Sequence, residues 1–317
     1  MFKSITVYQL TQATDAVLRA LEEHLPKRPF TPCTQHDASS AGWVPPLGED
    51  AETLTYGAQG CTLFCLRTDT KSVSAGAVKL AVAKRVKAFE QDNPDPASPV
   101  DKRLFKEEVT QQFVAAIPGE CAAPSYTWAY IDRQLSMLFV GASEDGADGF
   151  IAVLKKTLDA LPVKLLKLTE VEPCDKFTEW LKDPATLGEK FQLGDAVSMK
   201  RAKEGGTEVA NISHAELSSE YLQTWISEGA ECCRIGLAHE KATFAITAKL
   251  GLRRFKLPDE PDEDEEGDDP LDNTQYRFVR IADAVRAVMI DVEPNLGGFP
   301  TQELLDLHDE QEGEVAA

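Results

Sequence analysis

From Asp92 to Pro99 the chain reads Asp-Asn-Pro-Asp-Pro-Ala-Ser-Pro. Three prolines in eight residues stop any helix or strand there. Proline fixes φ, lacks a backbone N–H and drives its predecessor out of the helical region. Helical periodicity resumes on both sides. Over 75–90, Val78, Val82, Val86 and Phe89 recur at helical spacing and make one apolar face. Lys79, Lys84 and Lys87 are expected on the opposite side, with Arg85 beside the stripe, stem packed and head in water. A second helix is expected over 101–114, carrying Lys102, Arg103 and Lys106. Two helices around such a turn form a hairpin, and any fold this chain adopts must let that hairpin project from it.

The hairpin interrupts strand-like runs. Ile5 to Leu10 and Thr62 to Arg67 precede it, and Ser125 to Asp132 and Ser136 to Gly141 follow. The run Cys61-Thr62-Leu63-Phe64-Cys65-Leu66 is apolar at successive positions, as in a strand covered on both faces. Helices are expected over Thr14 to Leu25, closed by Pro26, and over Gly149 to Leu161. The stretch from Pro29 to Gly48 is too punctuated by proline and glycine for regular structure. Further on come a short helix over Asp175 to Leu181, a strand over Glu208 to Ile212 and a helix over Ser218 to Ser227 opened by Ser-Ser-Glu. Then follow strands over Cys232 to Leu237 and Ala242 to Leu250, a basic strand Arg253-Arg254-Phe255-Lys256-Leu257, and a helix from Tyr276 to Val292. The class is α+β. Residues 1–70 and 125–165 are expected to make one unit, 71–124 its helical insertion, and 166–317 a second unit.

Seven cysteines (Cys33, Cys61, Cys65, Cys121, Cys174, Cys232, Cys233) show no C-x-x-C pair, so they read as reduced, small buried hydrophobes rather than ligands. His24, His36, His214, His239 and His308 are scattered without ligand spacing and read as surface or helix-end residues. Nucleotide-binding glycine loops, H-E-x-x-H and G-x-S-x-G are missing, and Glu107-Glu108 does not look preorganised for two-metal hydrolysis. The expectation is a protein that is not an enzyme and uses no cofactor or metal. No apolar stretch is long enough for a membrane span, and the N-terminus reads as a strand rather than a signal, which implies a cytoplasmic protein.

The formal charge of −20 opposes phosphate binding, yet ten of the acids lie between Asp259 and Asp272, in a run almost without apolar side chains. That run reads first as a solvated loop. It could also act as a DNA mimic on a basic partner, as could the tail from Glu303 to Glu314, and as a cation site it would pay ordering entropy. Against it stand four basic groups: Lys79, Lys84 and Lys87; Lys102, Arg103 and Lys106; Lys200, Arg201 and Lys203; Arg253, Arg254 and Lys256. Each alone reads as a solvated face, whereas together they could line one extended DNA-binding surface.

Phe30-Thr31-Pro32-Cys33 followed by Gly42-Trp43-Val44-Pro45-Pro46 resembles a signature of the RdgC family of recombination-associated proteins. Phe2 to Leu10, Trp128 to Asp132, Leu158 to Val163, Phe191 to Leu193 and Arg253 to Leu257 are similar in order and spacing, over roughly residues 1–290. The resemblance implies antiparallel sheets with flanking helices and a protruding hairpin, arranged as central, tip and base portions of a ring-shaped homodimer. It also implies sequence-independent binding of double-stranded DNA in a positively lined hole, nucleoid association, and indirect antagonism of RecA-type recombinases by occupying the DNA. Three departures stand out. Ile117-Pro118-Gly119-Glu120-Cys121 lacks the Arg and Phe of the family's tip loop, Val209 to Leu217 lacks the basic charge usual there, and the acidic run is an insertion. A diverged, phage-encoded member would fit them. The competing reading is an acidic protein-interaction module that binds a basic nucleic-acid-processing partner.

Overall fold

The computed structural model describes residues 1–300 apart from 49, 94, 161, 169–170, 214–219 and 259–269, and the backbone alone of 213 and 270–273. In chain order its elements are β1 (Ser4–Leu10), α1 (Thr14–His24), β2 (Ser39–Val44), β3 (Thr55–Ala58), β4 (Cys61–Thr70), α2 (Ala75–Asp92) and α3 (Pro99–Ala116). Then come β5 (Ala123–Asp132), β6 (Met137–Val140), α4 (Glu144–Leu158), β7 (Val163–Leu165), α5 (Pro173–Lys182), β8 (Phe191–Lys203) and β9 (Gly206–Ser213). Last are α6 (Glu220–Ser227), β10 (Glu231–His239), β11 (Ala242–Thr247), β12 (Leu252–Lys256) and α7 (Pro270–Val292).

The class is α+β: seven α-helices among the described residues flank a large antiparallel sheet in the order β2-β4-β5-β6-β1-β12-β11-β10-β8-β9. β3 adds to β4, and β7 to β1. β1 joins the two halves by dividing its length. Ser4 and Ile5 pair with Arg253 and Leu252 of β12, while Thr6 to Gln9 pair with Val140 to Met137 of β6. One core lies under α1 and α4 around Trp43, Phe64 and Phe150. A larger one lies under α5, α6 and α7 around Tyr130, Phe177, Trp180 and Phe278. β4 is covered on both faces as its composition requires, with Cys61 and Leu63 in the larger core and Phe64 and Leu66 in the smaller.

Several elements depart from the sequence reading. The segment 29–48 holds the edge strand β2, in register with β4 from Ser39↔Thr70 to Val44↔Cys65. Gly42 does not break it. A Cβ there would stand 2.3 Å from the Phe30 Cα, so the glycine admits the incoming chain while Trp43 anchors the strand in the core. β3 went unnoticed as well. α4 begins at Glu144, five residues before the expected Gly149, with Ser143 at its N-cap and Glu144 and Asp145 in the first turn, where the helix dipole favours acids. β8 escaped notice because Gly194 interrupts its pattern. There the Cβ would lie 3.0 Å from the Gly236 carbonyl carbon, beside a register shift in β10. α7 starts at Pro270, so Asp272 belongs to a helix rather than a loop. The acids from Asp259 to Asp269, the Ser218-Ser219 start signal, the stretch from His214 to Leu217, and the tail with Glu303, His308 and Glu314 lie outside the described residues.

Candidate nucleic-acid interface

The hairpin is built from two 18-residue helices, each opened by a serine cap. Ser74 accepts from the Ala77 N–H, and Ser98 forms a capping box with Asp101. Phe89 and Phe105 meet edge to face at 5.5 Å, and Arg85 pairs with Glu108 at 2.6 Å while lying over the Phe105 ring. Few side chains are buried along it: Val78 on α2, Val109 and Val114 on α3. Leu80, Val100 and Leu104 are exposed.

The hairpin's foot is fixed by a buried cation. Lys71 is 4% exposed, and its Nζ donates to the carbonyls of Thr34 at 2.8 Å, Gln35 at 2.9 Å and Val114 at 3.4 Å. One ammonium thus ties the end of β4, the loop after Cys33 and the last turn of α3, where the helix presents unpaired carbonyls. Composition gave no hint of this role, because a lysine three residues before a serine cap looks like surface.

The twelve basic residues of the four groups divide by their surroundings. Lys79 and Lys102, with Lys106, come together along a groove of about 450 Å³ between α2 and α3, over Val73, Ala75, Val78, Val82 and Thr110. Lys79 therefore flanks the apolar stripe instead of opposing it, because one residue past Val78 is a rotation of about 100°. Lys84 and Lys87 are exposed on α2. None of these five lysines has a carboxylate within ion-pair distance among the described residues. Arg103 is paired with Glu107 at 3.1 Å.

In the second half most cations are occupied. Lys200 sits 3.4 Å from Glu231, and Lys203 lies 3.7 Å from Glu208. Arg201 bonds Glu208 and Glu228 and stacks 4.5 Å over Trp225. Arg253 points inward, donating to the Ile5 carbonyl at 2.9 Å with Glu144 at 3.6 Å. Burial lowers its pKa and Glu144 opposes that shift. A bulge opposite Thr243 and Ala245 puts Arg254 at φ 53° and leaves both Arg254 and Lys256 exposed. Arg234 on β10 was missed. It faces Ser198 across the sheet, and its Nη2 donates to Asn211 Oδ1 at 3.1 Å. Period-two spacing from the buried Cys232, had the intervening bulge been legible, would have found it.

A second polar cluster lies inside. Asp132 is fully buried, and its Oδ2 accepts from Arg286 Nε at 2.7 Å. Arg286 Nη2 reaches the Gln59 carbonyl at 2.9 Å and the Cys61 sulfur at 3.0 Å, which pins α7 to the β4–β5 end of the sheet. Burial, reinforced by Asp132, pushes the Cys61 thiol up to about 12, and burial does the same for Cys65 and Cys232, so these sulfurs stay protonated. Cys121, by contrast, is exposed and Cys233 only half-buried, against the expectation that all seven are buried. The Tyr130 hydroxyl, beside this cluster, has no hydrogen-bond partner among the described residues. His239 is a buried residue rather than a surface one. Its Nε2 stands 3.1 Å from Asp291, and its Nδ1 accepts from the Lys241 N–H. Among the described residues no three His, Cys, Asp or Glu side chains converge to hold a metal, and no helix is long and apolar enough to cross a membrane.

A family profile described as "Putative exonuclease, RdgC" matches residues 1–299. Proteins named "Recombination-associated protein RdgC" are similar along nearly their whole length. That of Psychromonas ingrahamii is 28% identical over 302 residues, covering 94% of this chain and 98% of its own. That of Aeromonas hydrophila is 27% identical over 302 residues with the same coverage. That of Salmonella typhimurium is 28% identical over 305 residues, again 94% of this chain and 98% of its own. The chain belongs to the RdgC family of recombination-associated proteins.

Proposed function

We propose that this chain is a non-catalytic, sequence-independent binder of double-stranded DNA that closes as a homodimeric ring around the duplex. By occupying DNA it limits RecA-type strand exchange, as a cytoplasmic protein at the nucleoid. Residues 71–124 serve as the tip, 1–70 and 125–165 as the centre, and 166–317 as the base. The observation that carries the reading is the set of five lysines on one projecting hairpin, Lys79, Lys84, Lys87, Lys102 and Lys106, without acidic partners among the described residues. A protein of charge −20 that leaves such a set unneutralised holds a local field suited to phosphates. Arg254, Lys256 and Arg234 extend the contact. Arg201 and Arg253, engaged internally, hold the fold that presents it.

Two unrelated duplexes of equal length and composition test the reading in a gel shift at low salt. Equal affinities support it, and no binding to either removes it. The same duplexes, end-labelled and incubated with Mg²⁺ or Mn²⁺, stay full length on this account. Progressive shortening would make the chain an exonuclease.

A further inference from the structure

We infer that the α2–α3 groove is a docking site for the acidic, leucine-bearing C-terminal segment of a second copy of this chain. The groove has an apolar floor, Val78 and Val82 among it, and a cationic rim of Lys79, Lys102 and Lys106. Leu80 and Leu104 stand exposed on the same two helices. The sequence after Pro300 reads Thr-Gln-Glu-Leu-Leu-Asp-Leu-His-Asp-Glu-Gln-Glu-Gly-Glu, three leucines at 304, 305 and 307 among the acids Glu303, Asp306, Asp309, Glu310, Glu312 and Glu314. That combination complements the groove twice over, leucines to the floor and carboxylates to the rim. The other acidic run, 259–272, has the charge but a single leucine.

Register decides between the chain's own tail and another's. Pro300 accepts from the Gln9 side chain. Gln9 pairs with Met137, Met137 with Asp132, and Asp132 with Cys61, so Pro300 sits at the Cys61 end of β4. The hairpin leaves from the Thr70 end, nine residues and three strand spacings away. At ~3.3 Å per residue and ~4.8 Å per strand that is about 33 Å. Leu307, seven residues past Pro300, extends at most about 25 Å. On that flat-sheet measure the extended tail stops short of the root of its own hairpin, and a second copy carries no such limit.

The test uses the full chain and a fluorescein-labelled peptide of residues 301–317, read by anisotropy without DNA. Saturable binding is expected, weakened at least tenfold by Leu304, Leu305 and Leu307→Ser in the peptide. Lys79, Lys102 and Lys106→Glu in the chain should have the same effect, with circular dichroism confirming that the variant is folded. A peptide of residues 259–272 should bind at least tenfold more weakly. The inference is overturned if the 301–317 peptide does not bind, if binding ignores the groove substitutions, or if the serine or 259–272 peptides bind equally well. Occupation of the groove by another hairpin would appear as absent peptide binding.

Discussion

Arg286 carries the most consequential single contact in the interior. Removing it strands the Asp132 carboxylate, fully buried, with the N–H groups of Gln134 and Leu135 and the weakly donating Cys61 thiol for company. Breaking one side of a buried pair costs about 3–5 kcal/mol, more than replacing both sides. Arg286→Met should therefore lower unfolding stability in urea by about 3 kcal/mol, and adding Asp132→Asn should recover part of it. A change below about 0.5 kcal/mol, the level of ordinary surface substitutions, would show that the clamp holds nothing. Asp291 supplies a pH dependence. Burial acts to raise its pKa, but hydrogen bonds from Lys190 and His239 prevail and hold it below the usual carboxylate range. Its folded pKa being the lower, its contribution is whole above the unfolded value of about 3.9 and is lost as pH falls through the folded one. Asp291→Asn should flatten the acid limb of the stability curve, read by urea unfolding at a series of pH values; an unchanged acid limb would deny the contribution.

At the scale of elements, the helical hairpin stands apart. Its few buried side chains leave it dependent on its foot, where Lys71 satisfies three carbonyls from two segments. Lys71→Met, keeping the stem and deleting the charge, should cost about 1–3 kcal/mol through stranded carbonyls. Hydrogen exchange should quicken in 34–37 and the last turn of α3, while β4 and β5 keep their protection; unchanged exchange at the foot would deny the clamp. The two helices of this element were legible from their proline break and valine spacing, and β4 from its doubly apolar run. β2 and β8 were not, because Gly42 and Gly194 mark close backbone approaches that look like turns in one dimension. The basic residues were all visible, but their partners were not. Nothing in sequence distinguishes Arg253, turned into the sheet, from Arg254 beside it, since a bulge decides which one meets water.

For the whole molecule, the governing quantity is where charge is left unpaired. Local pairs occupy Arg85, Arg103, Lys200, Arg201 and Lys203, while the hairpin lysines and the exposed end of β12 stay open among the described residues. On this account an acidic chain holds DNA through a few cationic elements, with the remaining negative charge discouraging wrong contacts. The most direct test is the salt dependence of duplex binding, compared between the native chain and a variant with Lys79, Lys84, Lys87, Lys102 and Lys106 changed to alanine. For the native chain the account predicts a steep linear fall of log affinity with log salt. In the variant the slope should be flatter by about 0.9 for every substituted lysine that neutralises a phosphate. Identical slopes and affinities for the two proteins would contradict it.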